Sequence, residues 1–211
     1  LNVMIDKQPT ERESLEIITS MINRTKDRYM LGDGNILLIW GYLTVAVTVL
    51  VWILLALTHN NAVNWLWFLI WIFGGLATIR ITRKRDIRKG MKSYSDKLVS
   101  RLWTAAGGSG FAMTALCLGF AFSGIDSWSA MFVFALIVIP LAEIAQGIII
   151  DERSFIFGGF TGLAIGFFTV CCIAGHIVMY ANWYLPLFII AFVCMMVIPG
   201  HILNYKARHQ K

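Results

Sequence analysis

Charge is what this chain has least of. Its 211 residues carry 12 acidic and 18 basic side chains, 14% charged in all, where a soluble domain carries about 25%. The shortage is concentrated. No Asp, Glu, Lys or Arg occurs from Ile36 to Ile79, a run of 44 residues, none from Leu102 to Ile125, and none from Ser154 to Tyr205. A spanning helix needs about 20 mostly apolar residues, so each gap holds one or two spans. An ordinary globular domain and a disordered chain are excluded. With only 4 prolines and no glycine period, so is a collagen-like chain.

Cysteine is scarce too. Cys117, Cys171, Cys172 and Cys194 all lie inside apolar runs, with no CxxC and no histidine at ligand spacing. They read as small hydrophobes in a packed bundle, not as a disulfide framework or a metal site. Catalytic signatures are missing as well: there is no HExxH, no GxSxG and no phosphate loop. The glycine-rich stretches at Gly107 and Gly158 lack the strand and lysine that such a loop requires. No catalytic residue, metal or cofactor is expected, and the chain does not read as an enzyme. An intramembrane hydrolase stays open only as a minor alternative.

What is present is hydrophobic: 58% of the residues. The apolar blocks divide at turn-forming residues into six spans, Ile36–Leu57, Val63–Ile79, Leu102–Ser123, Trp128–Ile150, Phe155–Tyr180 and Tyr184–Leu203. The fold class expected is all-α, a polytopic six-helix bundle. Residues 1–35 form a cytoplasmic amphipathic helix and hinge, and 36–204 the transmembrane domain, with a basic cytoplasmic loop over 80–101. Residues 205–211 form a basic tail.

Orientation follows from the basic residues. Five precede the first span, nine lie between Arg80 and Arg101, one is Arg153, and three follow the last span. The turns around His59, Asp126 and Asn182 have none. All 18 therefore fall on one side of a six-span chain, and the positive-inside rule makes that side cytoplasmic. Topology accounts for the net charge of +6, so nucleic-acid binding loses its support.

On that side, Thr10-Glu11-Arg12-Glu13 fits a capping box. Leu15, Ile18, Ile22 and Tyr29 then recur at helical spacing, opposite Glu16, Arg24, Lys26 and Asp27. The helix ends at the breaker run Gly32-Asp33-Gly34-Asn35. It lies on the membrane or, alternatively, docks a cytoplasmic protein partner through residues 10–29. The basic cluster Arg80, Arg83, Lys84, Arg85, Arg88, Lys89 and Lys92 is placed to meet anionic lipid head groups.

Inside the spans, Gly158, Gly162 and Gly166 form a stripe that lets helices approach closely, within the monomer or in a homo-oligomer. Ile139-Pro140 and Ile198-Pro199 recur near the inner ends of spans four and six. Glu143 is the formally charged residue well inside a span, seven residues before Ile150. An intramembrane carboxylate is costly and functional by default; the bland alternative is a structural, neutral glutamic acid. Gln146 shares its face, and His201 with Asn204 lies at a similar depth on span six. These four make the candidate polar site. His176, near the other end of span five, is too far away in depth to join them.

Four stretches carry a resemblance: Ser14-Leu15-Glu16-Ile17-Ile18-Thr19-Ser20-Met21-Ile22, Leu38-Ile39-Trp40-Gly41-Tyr42, Ala142-Glu143-Ile144-Ala145-Gln146-Gly147 and Ile198-Pro199-Gly200-His201. Through them the whole chain resembles an uncharacterised six-span integral membrane protein family of Bacteroidota. The resemblance implies a bacterial inner membrane and brings no activity or catalytic residue. The function expected is that of a membrane accessory, sensor or scaffold acting on its cytoplasmic side. The alternative is a small-solute or ion transporter or channel with Glu143 as its coupling site.

Overall fold

The computed structural model describes residues 10–30, 34–89, 94–125 and 127–209. Among them every regular element is a helix. The first, α1 (Glu11–Met30), starts where the capping box places it. The Thr10 amide donates to Glu13 Oε2 at 2.9 Å and the Glu13 amide to Thr10 Oγ1 at 3.4 Å. The Thr10 amide first, and its hydroxyl second, hold the Glu13 carboxyl below the usual carboxylate range.

Six helices are long and apolar enough to cross a membrane. Span one is α2 (Gly34–Thr58). Span two opens with a 3₁₀ segment, Asn61–Trp67, capped by the Asn60 side chain, and continues as α3 (Phe68–Lys89). Spans three, four and five are α4 (Tyr94–Phe122), α5 (Ser129–Ile150) and α6 (Arg153–Ala174). Span six is built of α7 (Ala181–Phe192), a π-helical turn (Val193–Val197) and α8 (Ile198–His209). The chain is an all-α bundle.

Several boundaries differ from the hydropathy limits. Of the basic stretch 80–101, residues 80–89 continue α3 and residues 94–101 begin α4, while 90–93 lie outside the described residues. The last helix likewise continues through the basic tail to His209. Helix geometry does not stop where apolarity does; hydropathy marks the slab alone. Span five ends at Ala174 and not Tyr180. There the Gly175 amide closes onto Cys171 O, the Ile177 amide onto Cys172 O, and His176 takes a left-handed φ of 53°. Of the expected hinge, Gly34 and Asn35 form the first turn of α2, while Gly32 and Asp33 lie outside the described residues.

The bundle has two unlike ends. At the end whose turns lack Lys and Arg, Trp65 packs on Phe68 and Trp128, and Trp183 on Phe168 and Tyr184. Just below them Trp67, Phe132, Tyr184 and Phe188 close edge to face, with centroids 5.1–5.9 Å apart. At the basic end the ties are polar: Lys206 to Glu152 and Asn204 to Asn35.

Spans four, five and six meet by backbone. Pro140 lacks an amide and frees the carbonyl of Leu136. A Cβ on Gly166 would overlap that oxygen, so the hydrogen Gly166 carries instead points at it. Gly159 receives the Pro140 carbonyl, its would-be Cβ 2.8 Å away. In span six the Ile198 amide donates five residues back, to Val193 O, and Pro199 has none, so the Cys194 carbonyl loses both of its usual donors. That oxygen lies 2.7 Å from where Gly158 would carry a Cβ. Span five is clasped between the two proline-containing helices, its glycines against the backbone each proline disturbs. The stripe packs inside the monomer.

Candidate functional site

Glu143 is wholly buried, 0% exposed, on the face of α5 that also carries Leu136, Pro140 and Gly147. Pairing Leu136 with Gly166, Pro140 with Gly162, and Gly147 with Phe155 fixes the α5–α6 register. It sets Glu143 level with Gly158 and Gly159. The π-helical turn faces the same level from span six, through Cys194 and Met195 against Gly158. Neither carboxylate oxygen of Glu143 has a hydrogen-bond partner among the described residues. A buried charge without a partner is far costlier than a neutral acid.

The other candidates are placed apart from it. Gln146 is buried one turn on, but its side-chain oxygen accepts from Trp103 Nε1 of span three. His201 does not approach Glu143. It lies on the exposed face of α8, its Nε2 2.6 Å from the Tyr42 hydroxyl of span one and its ring edge-on to the Tyr42 ring. Asn204 donates through Nδ2 to Asn35 Oδ1 at 2.9 Å. The four residues do not form one site, and each of the three amide or imidazole groups has its own partner. His176 is exposed in the turn after α6. Among the described residues no three His, Cys, Asp or Glu side chains gather as metal ligands.

Two groups that the sequence did not single out complete the basic end. Glu152 caps α6, accepting from the Ser154 amide and hydroxyl, and takes both carboxylate bonds from Lys206 Nζ at 2.9 Å. Glu152 is 3% exposed and Lys206 46%. Burial alone pushes the Glu152 carboxyl up; the Lys206 and Ser154 bonds outweigh it and hold the group below the usual carboxylate range. The signal available in sequence was a capping acid at a helix start; its lysine partner, 54 residues on, has no local signature.

On the surface of the basic end, Leu15, Ile17 and Ile18 of α1 are exposed, Leu15 at 64%. Arg80, Arg83 and Lys84 are exposed along α3. The side chains of Arg85, Arg88 and Lys89, and Lys92 altogether, lie outside the described residues, as does the second half of the apolar face of α1. Compared with known protein families, curated proteins and solved structures, the chain matches none.

Proposed function

We propose that this is a multi-pass protein of a bacterial inner membrane, with both termini in the cytoplasm, that acts non-enzymatically as an accessory, sensor or scaffold through its cytoplasmic face. One observation carries the reading. Among the described residues, Gln146, His201 and Asn204 are each taken up in a separate pair, with Trp103, Tyr42 and Asn35, and do not gather with Glu143 into one polar site. The aromatic cluster of Trp67, Phe132, Tyr184 and Phe188 closes the bundle at the opposite end. What remains for recognition is the basic end: α1 with Leu15, Ile17 and Ile18 exposed for a cytoplasmic protein partner, and the basic cluster for anionic head groups. The one-sided distribution of all 18 basic residues supports the orientation.

A photo-crosslinker at Leu15 or Ile18, used in native membranes, is expected to capture one cytoplasmic protein, and Ile18→Glu to abolish that capture. Crosslinks to lipid alone would defeat the docking role. The orientation has its own check. Cysteines at Asn60, Ser127 and Asn182 are expected to react with an impermeant thiol reagent from outside, and those at Lys89, Arg153 and Lys211 are not.

A second reading, a small-solute or ion transporter or channel, rests on Glu143, whose two oxygens have no partner among the described residues. It requires a proton-linked solute flux in reconstituted vesicles that Glu143→Gln abolishes.

A further inference from the structure

We infer that Glu143 is a reversible proton-binding site, held as the neutral acid while spans four, five and six are clasped, and able to release its proton only when that clasp parts. The inference goes beyond the cytoplasmic-face reading and does not depend on it, since it needs neither a partner nor a transported solute.

The geometry leaves few alternatives for the carboxyl group. It is 0% exposed, and neither oxygen meets a donor among the described residues. A carboxylate in that place would meet neither a cation nor a set of amide donors among the described residues, and an unpartnered buried charge is costly. Apart from the Cys194 thiol, the described titratable groups on the neighbouring elements are paired, exposed or at other levels, Lys97 and Arg101 of span three being exposed. On span three, Asp96 lies at the basic end, seven residues before the Trp103 that meets Gln146, and Cys117 is at the far end against Ser127 O. On span five, Glu152 is tied to Lys206 at one end and Cys172 is buried near the other; Arg153 and Cys171 are exposed. On span six, His201 faces outward onto Tyr42, Tyr184 meets Thr169 at the far end, and Cys194 is half-buried in the π-helical turn. The described charged side chains of α1, Glu11, Arg12, Glu13 and Glu16, are exposed.

The site is also at the most interrupted level of the bundle. Glu143 stands level with Gly158 and Gly159, where span five takes the Pro140 carbonyl on one side and the Cys194 carbonyl on the other. Prolines and π-turns are where helices bend. Parting the helices there admits water to Glu143; the O–H bond then breaks, the proton passes to water and the carboxylate is solvated. Reclosing requires the proton back. Proton occupancy and closure of the clasp are thus one equilibrium.

The experiment uses the full chain in phosphatidylcholine vesicles with protons as the only ligand. At neutral pH the infrared spectrum is expected to show the carbonyl stretch of a carboxylic acid free of hydrogen bonds, absent in Glu143→Gln. Dicyclohexylcarbodiimide, which adds to protonated carboxyls in apolar surroundings, is expected to modify Glu143 in the parent. Above the titration midpoint the labelling rate should fall about tenfold per pH unit. Over the same pH range thiol labelling of Cys194 should rise more steeply in the parent than in Glu143→Gln, the part common to both being thiolate formation. A carboxylate band in place of the acid band at neutral pH, or no labelling of Glu143 in the parent, would overturn the proposal; both are read on the parent, whether or not the variant folds. Cys194 reactivity that follows pH identically in parent and Glu143→Gln would overturn the link to the clasp.

Discussion

Two groups of glycines in this bundle look alike in sequence and are used in opposite ways. On span five, Gly158, Gly159 and Gly166 meet backbone oxygens, those of Cys194, Pro140 and Leu136, while Gly162 meets the Met195 and Pro140 side chains. In spans two and three the enclosed ones face tryptophan rings. Gly74 seats Trp40, and Gly110 seats Trp71 and Phe134. Gly75, Gly107, Gly108 and Gly119 face open space. The same division appears in the polar ties. The peripheral pair is fastened by single indole bonds, Trp40 Nε1 to Thr78 Oγ1 at 2.9 Å and Trp103 to Gln146. A ring can swing aside, and a carbonyl in a helix cannot. Small residues therefore mark a rigid contact only where the partner is backbone.

The sharpest way to break this comparison is to fill the clasp. Gly166→Ala puts a methyl group onto the Leu136 carbonyl, and overpacking without a rotamer escape costs about 3 kcal/mol. It is expected to lower the melting temperature in detergent more than any other single alanine among these glycines. Gly110→Ala, where the Trp71 ring can shift, should cost about half as much. Equal losses at the two sites would end the distinction between ring and backbone partners.

The polar ties come next. Lys206→Met leaves the buried Glu152 carboxylate without its cation, at a cost of about 1–3 kcal/mol. Because the folded Glu152 is held below the usual carboxylate range, this contribution is present above that range and is lost as pH falls through the depressed value. The gap in melting temperature between parent and Lys206→Met is therefore expected at pH 7 and should close below about pH 4. A gap that widens on acidification would reverse the assignment. Trp103→Phe strands the buried Gln146 oxygen and should cost about 1–2 kcal/mol. Adding Gln146→Leu should recover most of that loss, a double-mutant test of whether span three hangs on this one bond.

The smallest effect is the other half of the comparison. Gly108→Ala, with nothing within 4 Å of the new methyl group, should leave stability within about 0.5 kcal/mol of the parent. A large loss there would show that the face is covered in the membrane.

Much of this architecture is legible in the sequence because the bilayer imposes one rule, length of apolar chain, on every span. The number of spans and the capping box at Thr10 follow from local patterns. The site was only half legible. Depth along a helix is a matter of counting, and counting puts Glu143 and Gln146 at a depth similar to that of His201 and Asn204. Direction around the helix depends on neighbours, and there His201 turned outward to Tyr42 while Glu143 turned inward. Glu152 with Lys206, and Trp103 with Gln146, join residues far apart in the chain, and no periodicity announces such a pair. The π-helical turn before Pro199 was also unannounced, since a proline predicts a disturbed helix and not the form the disturbance takes.

The turn between spans four and five consists of Asp151, at a left-handed φ of 55°, and Glu152. So short a link bears on the order in which the molecule is made. The α5–α6 hairpin pairs residues close in the chain, so it can zip as soon as both helices have left the ribosome. Its remaining partners, the Cys194 carbonyl for Gly158 and the Lys206 ammonium for Glu152, are synthesised 36 and 54 residues after the groups they meet. Until then Gly158 is without the Cys194 carbonyl and Glu152 without its lysine, and the hairpin is a half-built socket. Span six is the helix that completes it.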